Sequence, residues 1–136
     1  MKGCAKIMGQ KTILLCDDDQ DILDSTSLLL RSAGYDVITA HEHRELTTTL
    51  QTVTPDLIVL DVRMPERDGF WIAECLQVLG SRIPILFMSS CDQMIYRLYA
   101  PFVGAVEYLI KPVQTDVFLN KIERVLRRSQ PQPVHY

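Results

Sequence analysis

Polar residues capable of chemistry recur in this chain immediately behind apolar runs. Asp17, Asp18 and Asp19 follow Ile13, Leu14, Leu15 and Cys16, and Asp61 follows Leu57, Ile58, Val59 and Leu60. Ser89 and Ser90 follow Ile85, Leu86, Phe87 and Met88, and Lys111 follows Tyr108, Leu109 and Ile110. Carboxylates brought within a few ångströms of one another repel, and one takes up a proton unless a cation is present. All-oxygen ligands with open positions suit Mg2+, with Mn2+ as a substitute; Mg2+ keeps several waters and prefers one or two carboxylates plus a phosphate. A lysine and a hydroxyl beside such an ion can hold further oxygens of a phosphoryl group. Asp61 is then a carboxylate nucleophile, and the chemistry open to this set is phosphoryl transfer onto aspartate.

These residues are far apart in sequence, so a fold must gather them. The run at 57–61 has no helical spacing of polar residues and lies between Pro55 and Gly69, the form of a strand buried on both faces. Further strands are expected over 11–16, 35–40, 84–88 and 106–110. A first helix follows from the recurrence of Ile22, Leu23, Thr26, Leu29, Leu30 and Ala33, with Gly34 at its stop. Others are expected over 41–52 (with Leu46 and Leu50 inward), 69–79 (Ile72, Ala73, Leu76 and Leu79 inward), 92–100 and 115–128, with Pro101 ending or bending the fourth. Strands alternating with helices predict a doubly wound α/β domain, a five-stranded parallel sheet in three α/β/α layers of flavodoxin-like (βα)5 type. In such sheets ligands bind outside the carboxyl ends of the strands, where Asp17, Asp18, Asp61, Ser89 and Lys111 fall.

Composition narrows the class. The chain is 47% hydrophobic and 23% charged with a net charge of −3, the balance of one ordinary globular domain. No direct nucleic-acid partner and no membrane are expected, and residues 1–10 do not read as a signal peptide. Cys4, Cys16, Cys75 and Cys91 form no C-x-x-C pair, so free thiols in a reducing cytoplasm are expected.

With its motifs in order, the chain resembles the receiver domain of two-component response regulators, similar to the single-domain chemotaxis type, over roughly 11–128. The resemblance rests on Ile13–Leu14–Leu15–Cys16–Asp17–Asp18, the stretch from Asp61 to Gly69, Met88–Ser89–Ser90, Gly104–Ala105, and Tyr108–Leu109–Ile110–Lys111–Pro112. It implies that Asp61 is the phospho-acceptor, that Asp18 binds Mg2+ directly and Asp17 directly or through water, and that the Arg63 carbonyl is a further ligand. Lys111 would pair with the carboxylate and then the phosphate. Ser89 and Tyr108 would form a switch reaching the surface of the fourth helix, fifth strand and fifth helix, with Tyr108 turning from an exposed to a buried rotamer. A cis bond at Lys111–Pro112 is implied as well. The implied partners are a sensor histidine kinase or histidine phosphotransfer protein in a phosphorelay, a second copy through the switch surface, and an output domain beyond residue 136. Residues 1–10 would be an N-terminal extension and 129–136 a tail or the start of a linker. The domain would catalyse only its own phosphorylation and dephosphorylation.

Rival readings are an aspartate-nucleophile phosphatase of haloacid dehalogenase type and a phosphorylation-independent interaction domain. The first expects Thr or Val where Asp21 stands. A calcium loop starting at Asp17 needs Gly and Glu where Ile22 and Leu28 stand. Asp19 and Asp21 are read instead as caps of the first helix, His41 and His43 as surface histidines, and Phe70 and Trp71 as packing residues. Ser90 and Cys91 are read as packing and loop residues, and Lys121, Arg124, Arg127 and Arg128 as a solvated helix face.

Overall fold

The computed structural model describes residues 10–64 and 66–128; Cys4, most of the N-terminal extension and the tail at 129–136 lie outside them. The strands are β1 (Thr12–Cys16), β2 (Asp36–Ala40), β3 (Leu57–Leu60), β4 (Ile85–Ser89) and β5 (Ala105–Ile110). The helices are α1 (Gln20–Ser32), α2 (His43–Leu50), α3 (Gly69–Val78), α4 (Met94–Tyr99) and α5 (Thr115–Arg128), and a 3-10 turn, Ala100–Val103, follows α4. All pairings are parallel, in the order β2-β1-β3-β4-β5.

Side-chain alternation divides the core in two. Ile13 and Leu15, Leu57 and Val59, and Leu86 and Met88 point to the side covered by α1 and α5. Leu14 and Cys16, Ile58 and Leu60, and Ile85 and Phe87 point to the side covered by α2, α3 and the 3-10 turn. The inner strands β1, β3 and β4 are buried along their whole length, so their sequences read as unbroken apolar runs.

Expected elements and observed ones differ mainly at ends. Helix α2 is shorter than expected and lacks a side-chain cap at Glu42; its Thr-rich sequence gives little intrinsic support beyond Leu50. Leu79, expected to face inward, follows the last turn of α3 and is exposed. Helix α4 has only six residues and gives way to the 3-10 turn that contains Pro101, so the α-helix ends just before the proline as expected. That turn closes at Gly104, whose φ of 90° favours a residue without Cβ. Between β4 and β5 the register shifts so that Ile85 faces Ala105 and Leu86 faces Glu107, leaving Val106 as the extra residue of a bulge on the edge strand.

Candidate functional site

Strand register places the site. Cys16 pairs with Leu60, so Asp17 and Asp61 leave the sheet at the same level, and the Asp61 N–H donates to the Cys16 carbonyl at 3.0 Å. Ser89 pairs with Ile110, and the Lys111 N–H donates to the Ser89 carbonyl at 2.8 Å. Asp17, Asp61 and Ser89 are buried, and Asp18 is exposed at the rim.

One lysine serves two carboxylates. Lys111 Nζ lies 2.6 Å from Asp17 Oδ2 and 3.3 Å from Asp61 Oδ2. Burial alone would lower Lys111, but the hydrogen bond to Asp17 and the charges of Asp61 and Asp17 outweigh it and hold the ammonium above its ordinary range. Asp61 is pushed up to about 6, first by burial and then by the charge of Asp17, despite Lys111 and the Arg63 N–H. That N–H donates to Asp61 Oδ1 at 3.2 Å. The cleft therefore holds more negative charge than its lysine neutralises.

This surplus is the test of a cation. Asp17, Asp18 and Asp61 each offer an oxygen, and these atoms lie within 4.8 Å of one another. A set of hard oxygen donors with an open rim fits Mg2+. Asp19 stands apart from it: its side chain accepts from the N–H groups of Asp21 and Ile22 and caps α1 as expected.

Two backbone features shape the β3–α3 loop. The Gly69 N–H donates to the Val62 carbonyl at 2.7 Å, and a Cβ on Gly69 would collide with the Asp61 carbonyl oxygen, so only glycine lets α3 start this close to the end of β3. Glu66 adopts a left-handed φ of 69°. The bond between Lys111 and Pro112 is cis, as expected.

Of the two residues expected to form a switch, Tyr108 is placed differently from expectation. Tyr108 is already half-buried, 6.1 Å from the Phe87 ring, and its hydroxyl donates to the Cys91 carbonyl at 2.7 Å. Ser89 Oγ accepts from the Cys91 N–H at 3.2 Å. The Cys91 residue is thus tied at both its peptide groups, a link that local sequence does not signal. Arg63 is exposed and its Nη2 reaches to 3.9 Å from Cys91 Sγ.

Other residues singled out in the sequence have structural roles. His41 is exposed and bonds Glu45 and Gln20. His43, expected at the surface, is half-buried with its ring edge-on to Trp71 at 5.9 Å. Trp71 is exposed beneath the Arg67 guanidinium, and Phe70 packs edge-on to Phe87 at 5.0 Å. The Cys16 thiol is pushed up to about 12 by burial and the charge of Asp17, which leaves it inert. Cys75 and Cys91 are free.

The model of the response regulator receiver domain matches residues 13–123. The chain is 40% identical over 121 residues to Protein RcaC of Microchaete diplosiphon, covering 85% of this chain and 18% of that protein. It is 34% identical over 120 residues to the alkaline phosphatase synthesis transcriptional regulatory protein PhoP of Bacillus subtilis, covering 88% of this chain and 50% of that one. It therefore spans half or less of these two relatives. Among solved structures, a CheY-like response regulator receiver domain protein of Methanospirillum hungatei superposes with a TM-score of 0.84 at 27% identity, over 89% of this chain and 97% of that one.

Proposed function

This chain belongs to the response regulator receiver family, and from that premise we propose that it accepts a phosphoryl group on Asp61 from a sensor histidine kinase or a histidine phosphotransfer protein. The observation that carries the reading is the convergence of Lys111 on both Asp17 and Asp61 at the strand ends. In the transfer an Asp61 carboxylate oxygen bonds to phosphorus as the phosphorus–nitrogen bond of a phosphohistidine breaks, and the imidazole leaves with the electron pair. Burial and the charge of Asp17 hold Asp61 above an ordinary aspartate when no cation is bound, and a bound Mg2+ would favour its ionised, nucleophilic form. Lys111, already 3.3 Å from Asp61, passes one hydrogen bond to an incoming phosphoryl oxygen, and Ser89 supplies another.

Asp17, Asp18 and Asp61 would hold Mg2+, with the Arg63 carbonyl as a further ligand. The ion supplies neutralisation of the charge that develops on the phosphoryl oxygens. The phosphorylated state would act through Ser89 and Tyr108 on the face formed by α4, β5 and α5, and through any output domain of the whole protein. The domain would catalyse only its own phosphorylation and dephosphorylation, in the cytoplasm. No described helix is long and apolar enough to cross a membrane.

Incubation with Mg2+ and a small acyl phosphate is expected to add one phosphoryl group by intact mass, and Asp61→Asn to abolish it. Unchanged labelling of that variant would remove Asp61 from the role.

A further inference from the structure

The connection from β3 to α3 carries the Arg63 peptide, whose N–H donates to Asp61 Oδ1. Its ends are tied to the body of the domain. Met64 is buried, and its sulfur accepts from the Cys16 thiol at 3.6 Å. Asp68 caps α3 by accepting from the Trp71 N–H at 2.9 Å. Glu66 and Arg67 stand between these ties. Glu66 holds a left-handed φ of 69°, which a residue with a Cβ seldom adopts and which persists only where neighbouring groups hold it.

The group that faces Glu66 is His43, the first residue of α2. Its side chain is only 16% exposed, and its Nδ1 is buried with no hydrogen-bond partner among the described residues. A buried ring nitrogen left unpaired is uncommon and costs stability. Glu66 Oε1 lies 3.9 Å from this nitrogen, too far for a hydrogen bond and close enough for an ion pair. The Glu66 side chain is 58% exposed, so it has room to move the remaining distance of about 1 Å. Imidazole is the side chain that changes charge between about pH 5 and 8, and as imidazolium it donates from both nitrogens. The other charged group on the connection, Arg67, stands over the Trp71 ring at 4.7 Å. Helix α3 presents that uncharged ring to His43, edge-on at 5.9 Å. On α2 itself, Glu42 and Arg44 flank His43 in the chain. Glu66 is thus the carboxylate placed to meet a proton on Nδ1.

We propose that His43 is a positioning residue for the acceptor site, a proton-dependent latch on the β3–α3 connection. As imidazolium it draws the Glu66 carboxylate onto Nδ1 and holds the connection, and with it the Arg63 peptide, against α2. The neutral ring offers at most an uncharged bond, about half as strong, and the connection loosens. The proposal rests on the reading above for what the Arg63 peptide does in phosphoryl transfer. The latch itself is a property of the metal-free chain.

Amide hydrogen exchange of the metal-free protein, expressed as protection relative to an unstructured chain at the same pH, reads the latch. Protection at residues 63, 64 and 66–68 is expected to be about fivefold higher at pH 5.5 than at pH 8. Asp61 titrates in the same range, so Asp61→Asn is measured beside the parent and should show the same rise. His43→Gln and Glu66→Gln should each abolish it, and unchanged thermal melts at pH 8 confirm that both variants fold. Trp71 is the single tryptophan, and an imidazolium at its edge quenches indole emission. Its fluorescence should therefore step down as pH falls in the parent and in Asp61→Asn, and lose that step in His43→Gln. Mg2+ should bind the parent about fivefold more tightly than His43→Gln at pH 6 and equally at pH 8.5. Protection that is flat with pH, or a rise that survives in either variant, overturns the latch. Equal Mg2+ affinities of parent and His43→Gln at both pH values overturn its positioning role. Failure of Asp61 to accept a phosphoryl group leaves the exchange of the Asp61→Asn protein untouched, so the two readings fail separately.

Discussion

Helices α4 and α5 precede and follow the edge strand β5 in the chain and are held to the domain by opposite means. Helix α5 runs for 14 residues and buries Phe118, Ile122, Val125 and Leu126 against the sheet, with its cations outside. Helix α4 has six residues, buries none fully, and packs through Tyr96 and Tyr99 on the Phe70 ring of α3, one stacked and one edge-on. The lysine of the cleft lies on the connection into α5, whereas Ser89 opens the connection into α4. One wall of the site is thus fixed by apolar burial against the sheet, and the other is attached by a few aromatic contacts and two hydrogen bonds. That difference suits a site that must keep its charges in place while passing a rearrangement to one side only.

The largest effect should come from the fixed wall. Phe118→Ala removes a buried ring and is expected to cost about 3–5 kcal/mol in denaturant unfolding, whereas Leu98→Ala in α4 should change stability by less than about 0.5 kcal/mol. Comparable losses for both would erase the distinction between the helices.

The next test asks whether the charges are held in place. Asp61 has its folded pKa raised to about 6 from an ordinary 3.8. Between these values the native state holds a proton that the unfolded chain has released, so the contribution of Asp61 to stability is present below about pH 4 and lost as pH rises through about 6. Without Mg2+, Asp61→Asn should therefore stabilise the protein at pH 8, by up to about 3 kcal/mol, and leave it nearly unchanged at pH 4. A gain that does not grow with pH would mean that the cleft relaxes as freely as the α4 face.

A smaller effect probes the loose wall itself. Phe70 meets the rings of Phe87, Tyr96 and Tyr99 at 5.0, 5.6 and 5.2 Å. Phe70→Leu should cost about 1–2 kcal/mol and speed hydrogen exchange of the α4 amides more than that of α5. Uniform acceleration would show that the rings support the whole domain rather than α4.

How much of this could be read from the chain follows from which contacts are local. The runs 13–16, 57–60 and 85–88 are apolar without interruption because both faces of β1, β3 and β4 are covered, and the polar residue after each run marks where that covering ends. The site was legible for that reason. The cap at Asp19 and the stop at Gly34 are local, and both stand where expected. The cis bond was implied only by the resemblance. The brevity of α4, the bulge at Val106 and the half-burial of His43 depend on partners distant in sequence, and no periodicity encodes them. The same holds for the Tyr108 hydroxyl on the Cys91 carbonyl, which replaces the expected exposed starting rotamer.

That hydroxyl gives the smallest and most specific test. The Cys91 N–H is held by Ser89 Oγ and its carbonyl by Tyr108 Oη, so the start of the β4–α4 connection is tied once to the cleft and once to β5. If Ser89 turns to a phosphoryl oxygen it gives up the first tie, and the Tyr108 bond then decides how far the connection moves. Tyr108→Phe keeps the ring against Phe87 and removes the second tie together with the hydroxyl's interaction with the Ser89 side chain, at a cost of about 1 kcal/mol. The expected signature is faster hydrogen exchange at residues 91–93 with α5 unchanged, and phosphorylation of Asp61 retained, since Tyr108 touches neither carboxylate nor lysine. Ser89→Ala removes the first tie and should loosen the same residues before any phosphoryl group is added. It should also leave α4 insensitive to beryllofluoride. Equal exchange in the parent and both variants would mean that the connection is held by its own backbone, and that the contrast between the two walls does not originate at Cys91.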